Sequence, residues 1–295
     1  MHLWHAILLG LVQGLTEFLP VSSTAHLTLT EHLLLGRGMP LAFDVLLHVG
    51  TLLALFIYFR KELGRILMGL IGRDAEGRQL AKLLFLAMIP TIAFGLLTRQ
   101  AKEWSKQHLW VYGVFLVVTA WMLYRANLKA QAGGPARDLE SATPLDALKV
   151  GSIQGLGGGF GLSRSGSTIS MGVFSGMRLP ASARFSFLLG IPTILGAAVF
   201  ETKSLLKPLL HHQPLPADMA FPVLAGGVSP AVACIVGVLV SALSGYLAIG
   251  VLDRFTRSPR LNGFAFYCLC VGVLMVILGT VGIDGLYAFG GISHR

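Results

Sequence analysis

Residues 13–24 read QGLTEFLPVSST, and residues 154–165 read QGLGGGFGLSRS. Four residues recur at the same spacing: Gln13, Gly14, Leu15 and Ser22 return as Gln154, Gly155, Leu156 and Ser163. With one residue inserted, the similarity continues from residues 43–53 into residues 185–195. We predict a duplicated unit in which each copy carries a polar, hydroxyl-rich break inside an apolar run. In a membrane protein, such breaks at matching places in two halves indicate a binding site.

The composition places most of the chain in lipid. Apolar residues make up 54% of the 295 residues and charged residues 13%, with a mean hydropathy of +0.71. A soluble domain carries about 25% charged residues. Apolar runs near the length of a spanning helix cover residues 42–59, 83–98, 108–124, 185–200, 221–251 and 264–283. The chain is therefore predicted to be an integral membrane protein.

The net charge of +9 is explained by membrane topology rather than by a nucleic-acid partner. Most Lys and Arg residues fall in four segments that would lie on one side of the membrane: 60–82, 125–149, 178–184 and 254–260. An excess of Lys and Arg marks the cytoplasmic side. We therefore expect no nucleic-acid binding and place both termini outside.

Each copy begins with a segment that enters the membrane and turns back. Residues 2–36 are split by the polar stretch 20–24 into halves of about 15–18 residues, which are short for a full span. In the second copy, residues 145–162 enter, residues 163–168 turn and residues 168–178 return. Hydroxyl side chains at such a tip can cap the returning half-helix at membrane depth.

Three apolar spans are predicted after each of these hairpins. An odd number of crossings then separates the copies, so they enter the membrane from opposite sides. The predicted fold is an all-α integral membrane protein with an inverted-topology repeat, its hairpin tips meeting near the midplane. We predict one polytopic domain, residues 1–295, with repeat 1 at about 1–125, a linker at about 126–144 and repeat 2 at about 145–295.

Ionisable residues at membrane depth are costly and indicate function. Five are predicted there: Glu17, His26, Asp44, His48 and Arg164. Gln13 lies one helical turn before Glu17, on the same face; hydrogen bonding to neighbouring backbone is its alternative. Asp44 and His48 are also one turn apart, and a structural pair is favoured for them.

Arg164 is the most informative of these residues, because a buried guanidinium needs an anionic partner. Hydroxyl groups surround it in the second hairpin, at Ser163, Ser165, Ser167 and Thr168. A guanidinium, several hydroxyls and two helix N-termini together form a phosphate site. From the first hairpin, Gln13, Ser22 and Thr24 are added as substrate-binding candidates. The alternative is a structural ion pair between Arg164 and Glu17.

The first hairpin supplies groups for phosphoryl transfer. Ser23 could attack phosphorus, and Glu17 or His26 could take its proton while the other protonates the leaving oxygen. Arg164 would stabilise the charge that develops on the phosphoryl group.

The chain resembles the bacitracin-resistance type of undecaprenyl-pyrophosphate phosphatase (undecaprenyl-diphosphatase). That family has an (E/Q)xxxE motif followed by a Ser-Ser-Thr tip and a His, which stands here within residues 13–26. Its second motif, PGxSRSxxT, stands here as residues 160–168. The similarity runs through nearly the whole chain.

The resemblance implies removal of the terminal phosphate from undecaprenyl diphosphate, which recycles the lipid carrier for peptidoglycan and other envelope polymers and gives bacitracin resistance. By motif, Glu17, Ser23, His26 and Arg164 match the catalytic positions, with Ser23 as the nucleophile. The resemblance also implies a multi-pass protein of the bacterial cytoplasmic (inner) membrane, a pocket open to the periplasm or outside, and a homodimer. It further implies dependence on a divalent cation such as Mg²⁺ or Ca²⁺, for which Glu17 is the candidate ligand.

Two positions depart from the family pattern. Gln13 takes the neutral option of the first motif, so one carboxylate remains on that helix face, which weakens the case for a metal site. Phe160 replaces the proline of the second motif and removes its fixed φ. A rival function, a polyprenyl-phosphate transporter that does not hydrolyse its substrate, fits the same architecture; the nucleophile and acid groups beside Arg164 favour the enzyme.

Overall fold

A computed structural model describes residues 2–35, 41–105, 108–158, 160–210 and 229–281. Nearly all of these residues are helical, and no β-strand occurs among them. The α-helices are α1 (Leu3–Phe18), α2 (Ser23–Leu35), α3 (Leu41–Tyr58), α4 (Arg60–Leu70), α5 (Ala75–Leu97), α6 (Arg99–Ser105), α7 (Leu109–Gln131), α8 (Pro144–Gly157), α9 (Arg164–Phe174), α10 (Leu179–Leu210), α11 (Pro230–Arg257) and α12 (Asn262–Val281).

Six of these helices are long and apolar enough to cross a membrane: α3, α5, α7, α10, α11 and α12. Their outer faces expose large apolar side chains, among them Phe85, Leu97 and Phe266. This confirms the predicted all-helical, multi-pass membrane protein. Three spans follow the hairpin α1–α2 and three follow α8–α9, as the sequence predicts; the opposite orientation of the two copies stays a prediction.

The tip of the second hairpin lies earlier in the chain than predicted. Residues 163–168 do not form the turn, because α9 already begins at Arg164. The Ser163 hydroxyl caps this helix by accepting the Gly166 N–H at 3.1 Å. The serine-rich run is therefore the cap and first turn of the returning helix, and residues 158–162 form the connection, of which residue 159 lies outside the described part.

The region between the copies is also more ordered than predicted. Helix α7 continues to Gln131, so the first residues of the predicted linker are helical. Helix α8 begins with a capping box in which Thr143 and Asp146 bind each other's backbone N–H groups. Two short helices that the sequence did not predict, α4 and α6, connect the spans of the first copy.

The two copies pack into each other rather than side by side. Helix α1 packs against α11 of the other copy, and α8, its counterpart, packs against α5. Matching glycines make these contacts close. A Cβ on Gly10 would lie 2.8 Å from the Gly237 carbonyl oxygen, and one on Gly151, its counterpart, would collide with the Ala87 carbonyl oxygen. Such small-residue contacts between spans are typical of membrane proteins. They bring the end of α1 beside the start of α9.

Candidate functional site

The site forms where α1 ends and α9 begins. Glu17 lies in the last turn of α1 and is buried, and Arg164 is the first residue of α9. The Arg164 Nη2 donates to Glu17 Oε1 at 2.7 Å. This ion pair joins the two hairpins, as the sequence alternative of an Arg–Glu pair anticipated.

The second carboxylate oxygen of Glu17 accepts hydrogen bonds from two side chains of the first hairpin. Glu17 Oε2 accepts the Ser23 hydroxyl at 2.6 Å and the Gln13 amide Nε2 at 3.1 Å. Because the Ser23 O–H points at a carboxylate, the lone pairs of its oxygen face away from Glu17. Gln13, Glu17, Ser23 and Arg164 are thus brought together as the sequence predicts.

A strained tip presents Ser23 at the start of α2. The residue before it, Ser22, has φ of +71°, which non-glycine residues rarely adopt. Its side-chain hydroxyl is 3.4 Å from the Ala25 N–H, and its carbonyl accepts the His26 N–H at 3.2 Å. Since Ser22 caps the helix, the Ser23 hydroxyl is not needed as a cap. Thr24, in the next position, is exposed.

His26 has both ring nitrogens engaged by protein groups. Its Nδ1 lies 2.8 Å from the Ser22 carbonyl oxygen, and its Nε2 lies 2.7 Å from the Tyr267 hydroxyl. A carbonyl oxygen only accepts, so Nδ1 is the donor and the neutral ring accepts at Nε2 from Tyr267. Nothing in the sequence pointed to Tyr267, a residue of α12 in the second copy.

The hydroxyls of the second hairpin are buried and mostly hold the scaffold. Ser165 donates to the Leu19 carbonyl of the first tip at 3.1 Å. Ser167 and Thr168 donate to the Arg164 carbonyl at 3.2 and 2.6 Å, and Thr168 also lies 2.6 Å from the Ser186 hydroxyl. These groups fix the backbone of Arg164.

Arg164 keeps one donor for a ligand. Its Nη1 is buried and has no hydrogen-bond partner among the described residues. Gly190 on α10 makes room for this atom, because a Cβ at that position would collide with Nη1. A buried, unpaired guanidinium N–H costs free energy unless an acceptor arrives, and an anion supplies one.

His48 approaches the same carboxylate from α3. Its Nε2 lies 4.0 Å from Glu17 Oε2, while its Nδ1 lies 2.9 Å from the Asp44 carbonyl oxygen and 3.8 Å from the Asp44 carboxylate. The structural pair that the sequence favours for Asp44 and His48 is present. The proximity of His48 to Glu17 was not predicted.

Phe160 and Lys102 support the tip of the second hairpin. The ring of Phe160 stacks on Phe115, with centroids 5.1 Å apart and planes 19° apart. Lys102 on α6 donates to the Gly155 carbonyl oxygen at 3.0 Å, and its Nζ lies 5.9 Å from the Phe160 centroid. Burial lowers the pKa of Lys102. Ring stacking thus holds the tip at the position where the resembled motif has proline.

The donor set does not fit a resident divalent cation. Among the described residues, no group of three His, Cys, Asp or Glu side chains is close enough to hold a metal ion. Glu17, the expected ligand, already binds a guanidinium through one oxygen and two donors through the other. Hard cations need several free oxygen ligands, so no chemical step is assigned to a metal here.

Comparison with known proteins gives a consistent result over nearly the full length. The family model described as bacitracin resistance protein BacA matches residues 6–274. The undecaprenyl-diphosphatase of Methanosphaera stadtmanae is 36% identical over 292 residues, covering 94% of this chain and 98% of that one. The proteins of the same name from Alkaliphilus metalliredigens and Pelobacter propionicus are 37% and 35% identical, covering 94% and 97% of this chain and 98% and 100% of their own.

Proposed function

Because the chain belongs to the family of bacitracin resistance protein BacA, we propose that it hydrolyses undecaprenyl diphosphate to undecaprenyl phosphate and inorganic phosphate. The relatives described above carry that activity in their names. The observation in this chain that supports it is the Glu17 carboxylate, which binds Ser23 through one oxygen and Arg164 through the other. The lipid product returns to the synthesis of peptidoglycan and other envelope polymers.

In the first half of the reaction, Ser23 Oγ attacks the terminal phosphorus. Its proton moves to Glu17 Oε2, which lies 2.6 Å away. The bond between that phosphorus and the bridging oxygen breaks, and the electron pair leaves with undecaprenyl phosphate. Ser23 then carries the phosphoryl group, as in other covalent phosphoryl transfers.

In the second half, water attacks the phosphorus of the phosphoserine. The bond to Ser23 Oγ breaks, and that oxygen recovers the proton held by Glu17. Both protons of the water leave with inorganic phosphate, so Glu17 and Ser23 return to their starting states.

Arg164 stabilises the negative charge in both halves. Its Nη2 is fixed by Glu17, and its Nη1, a buried donor without a hydrogen-bond partner among the described residues, is available to a phosphoryl oxygen. Because the scaffold positions this donor before substrate binds, no reorganisation is needed as charge develops.

We also propose the placement of the protein in a bacterial cytoplasmic membrane, with the site open to the outside and a homodimeric assembly. The charge distribution of the loops supports the orientation. Reporters at positions 70 and 135 should be cytoplasmic, and reporters at 104 and 210 external. Positions 70 and 135 on opposite faces would remove the argument for inversion. Dependence on Mg²⁺ or Ca²⁺ also stays a prediction of the resemblance.

The hydrolytic function is tested with purified protein in detergent and farnesyl diphosphate as the substrate. Wild type should release phosphate and should yield an acid-trapped phosphoserine at Ser23. Ser23→Ala should abolish both while lowering the melting temperature only slightly, because Ser22 caps α2 and the Glu17 carboxylate keeps its hydrogen bonds from Arg164 and Gln13. Ser152→Ala is the matched control, since Ser152 is a partly buried helical serine whose hydroxyl donates to the Leu148 carbonyl of its own helix.

Each outcome has a distinct meaning. Binding of the diphosphate by wild type without hydrolysis would indicate the transporter instead. Phosphate release at the wild-type rate by folded Ser23→Ala would leave water activated by Glu17 or His26 as the mechanism.

A further inference from the structure

Helix α12 of the second copy makes two hydrogen bonds to the tip of the first hairpin. Tyr267 binds the ring of His26, and the next residue, Cys268, donates its S–H to the Pro20 carbonyl oxygen at 3.3 Å. Pro20 and His26 flank Ser22 and Ser23. Two consecutive residues of one span therefore hold the segment that carries the proposed nucleophile.

The contact between Tyr267 and His26 is specific in geometry. The two rings are stacked, with centroids 5.5 Å apart and planes 12° apart, and the hydroxyl lies 2.7 Å from Nε2. This combination fixes both the plane of the imidazole and its tautomer. A ring that served only to fill space would need the stacking but not the hydroxyl.

The fixed imidazole in turn holds the strained residue. With Nε2 accepting from Tyr267, Nδ1 carries the proton and donates to the Ser22 carbonyl at 2.8 Å. Ser22 has φ of +71°, a conformation that persists only where its surroundings enforce it. The peptide that carries this carbonyl leads directly into Ser23. A hydrogen-bond chain thus runs from Tyr267 through His26 to the backbone that aims Ser23.

We propose that Tyr267 is a positioning residue for the reaction. Its hydroxyl fixes the orientation of the His26 ring, and His26 fixes the backbone of Ser22, which directs Ser23 Oγ. The proposal rests on the proposed function, in which Ser23 is the nucleophile. It assigns to the second copy a part in aiming the first hairpin, in addition to supplying Arg164. Small errors in the placement of an attacking atom cost large factors in rate.

The test is Tyr267→Phe, which keeps the stacked ring and removes only the hydroxyl. Loss of one hydrogen bond of ordinary strength should lower kcat about tenfold. KM should change little, because Tyr267 aims the nucleophile rather than holding the diphosphate. Formation of the trapped phosphoserine should slow by the same factor in single-turnover experiments. Tyr246→Phe is the matched control, since Tyr246 is a half-exposed tyrosine with its ring against Tyr58.

A double-mutant cycle with His26 gives a readout that packing alone would not move. Because Tyr267 acts through His26, Tyr267→Phe should have no further effect on kcat in a His26→Ala background. Additive losses, a wild-type kcat in Tyr267→Phe, or a loss that follows a lowered melting temperature would overturn the proposal. Failure of the proposed function is recognised separately, as the absence of phosphate release by the wild type, and failure of the nucleophile assignment as phosphate release without a trapped phosphoserine.

Discussion

Gly190 is the position where the smallest possible change should disturb the site most. Replacing it with alanine adds one methyl group on α10 at the place where Arg164 Nη1 now lies. The methyl meets the far end of a flexible side chain rather than backbone, so the fold should survive. The guanidinium must retreat by roughly 1 Å or more to restore ordinary contact, and a misplacement of that size can cost about 10²-fold in rate.

The expected loss in kcat/KM for Gly190→Ala is therefore about 10²-fold, or about 2.7 kcal/mol of transition-state stabilisation. The measurement is phosphate release from farnesyl diphosphate by detergent-purified protein, with a melting curve for each variant. Gly196→Ala, on the same helix, is the control, because its new Cβ would have no atom within 4 Å.

A second comparison isolates the cause. In an Arg164→Lys background, which lacks Nη1, the additional change Gly190→Ala should cost little more. Wild-type kcat/KM in folded Gly190→Ala, or full additivity with Arg164→Lys, would refute the view that Gly190 exists to accommodate the guanidinium.

Three further outcomes are expected. Arg164→Lys alone should lose about 10²-fold in kcat, because an ammonium cannot bind a carboxylate and a phosphoryl oxygen as a planar guanidinium does; wild-type turnover would reduce Arg164 to a structural role. His48 Nε2 lies 4.0 Å from Glu17 Oε2, and the proposed mechanism moves the proton between Ser23 and Glu17 alone, so His48→Gln should lower kcat by less than about tenfold. The same holds for His108→Gln, which also removes an imidazole bound to the carbonyl four residues before it; a loss of about 10²-fold in His48→Gln alone would contradict this. Asp74 caps α5, and the hydrogen bond from the Gly77 N–H lowers the pKa of its carboxyl group. The stabilisation of the fold by the ionised cap is therefore present at neutral pH and is lost as pH falls below about 3.9, the pKa of the unfolded state. In Asp74→Asn, melting temperatures measured between about pH 6 and pH 3 should lose that part of their acid dependence.

The repeated QGL stretches were sufficient to predict much of the architecture. They identify two interrupted segments, and helical spacing then places Gln13 and Glu17 on one face. A buried arginine implies an anionic partner, which the structure supplies as Glu17. These predictions succeed because each depends on local periodicity or on the cost of an unpaired charge.

Features that depend on the packing of distant helices could not be predicted in this way. The contact of Tyr267 with His26 joins residues 241 positions apart. The approach of His48 to Glu17 depends on how α3 sits beside α1. The sequence predicts a turn for the serine-rich run after Leu162, but the structure has a helix cap and the first helical turn there. Serine favours turns and helix caps alike, and only the hydrogen bond from the Gly166 N–H to Ser163 identifies the cap.

The interlocked packing of the copies has a consequence for the order of assembly during synthesis. Helix α1 emerges from the ribosome before α11, yet α11, more than two hundred residues later, supplies the surface against which Gly10 and Gly14 pack. Until α11 is made, the first hairpin has no partner for its small-residue face. The Glu17 carboxylate likewise lacks its ion-pair partner until Arg164 has been made. Insertion of the chain must therefore hold an unpaired polar hairpin in or near the bilayer until Arg164, near the start of the second copy, has been made, and the helix that packs against α1 follows only with residues 230–257.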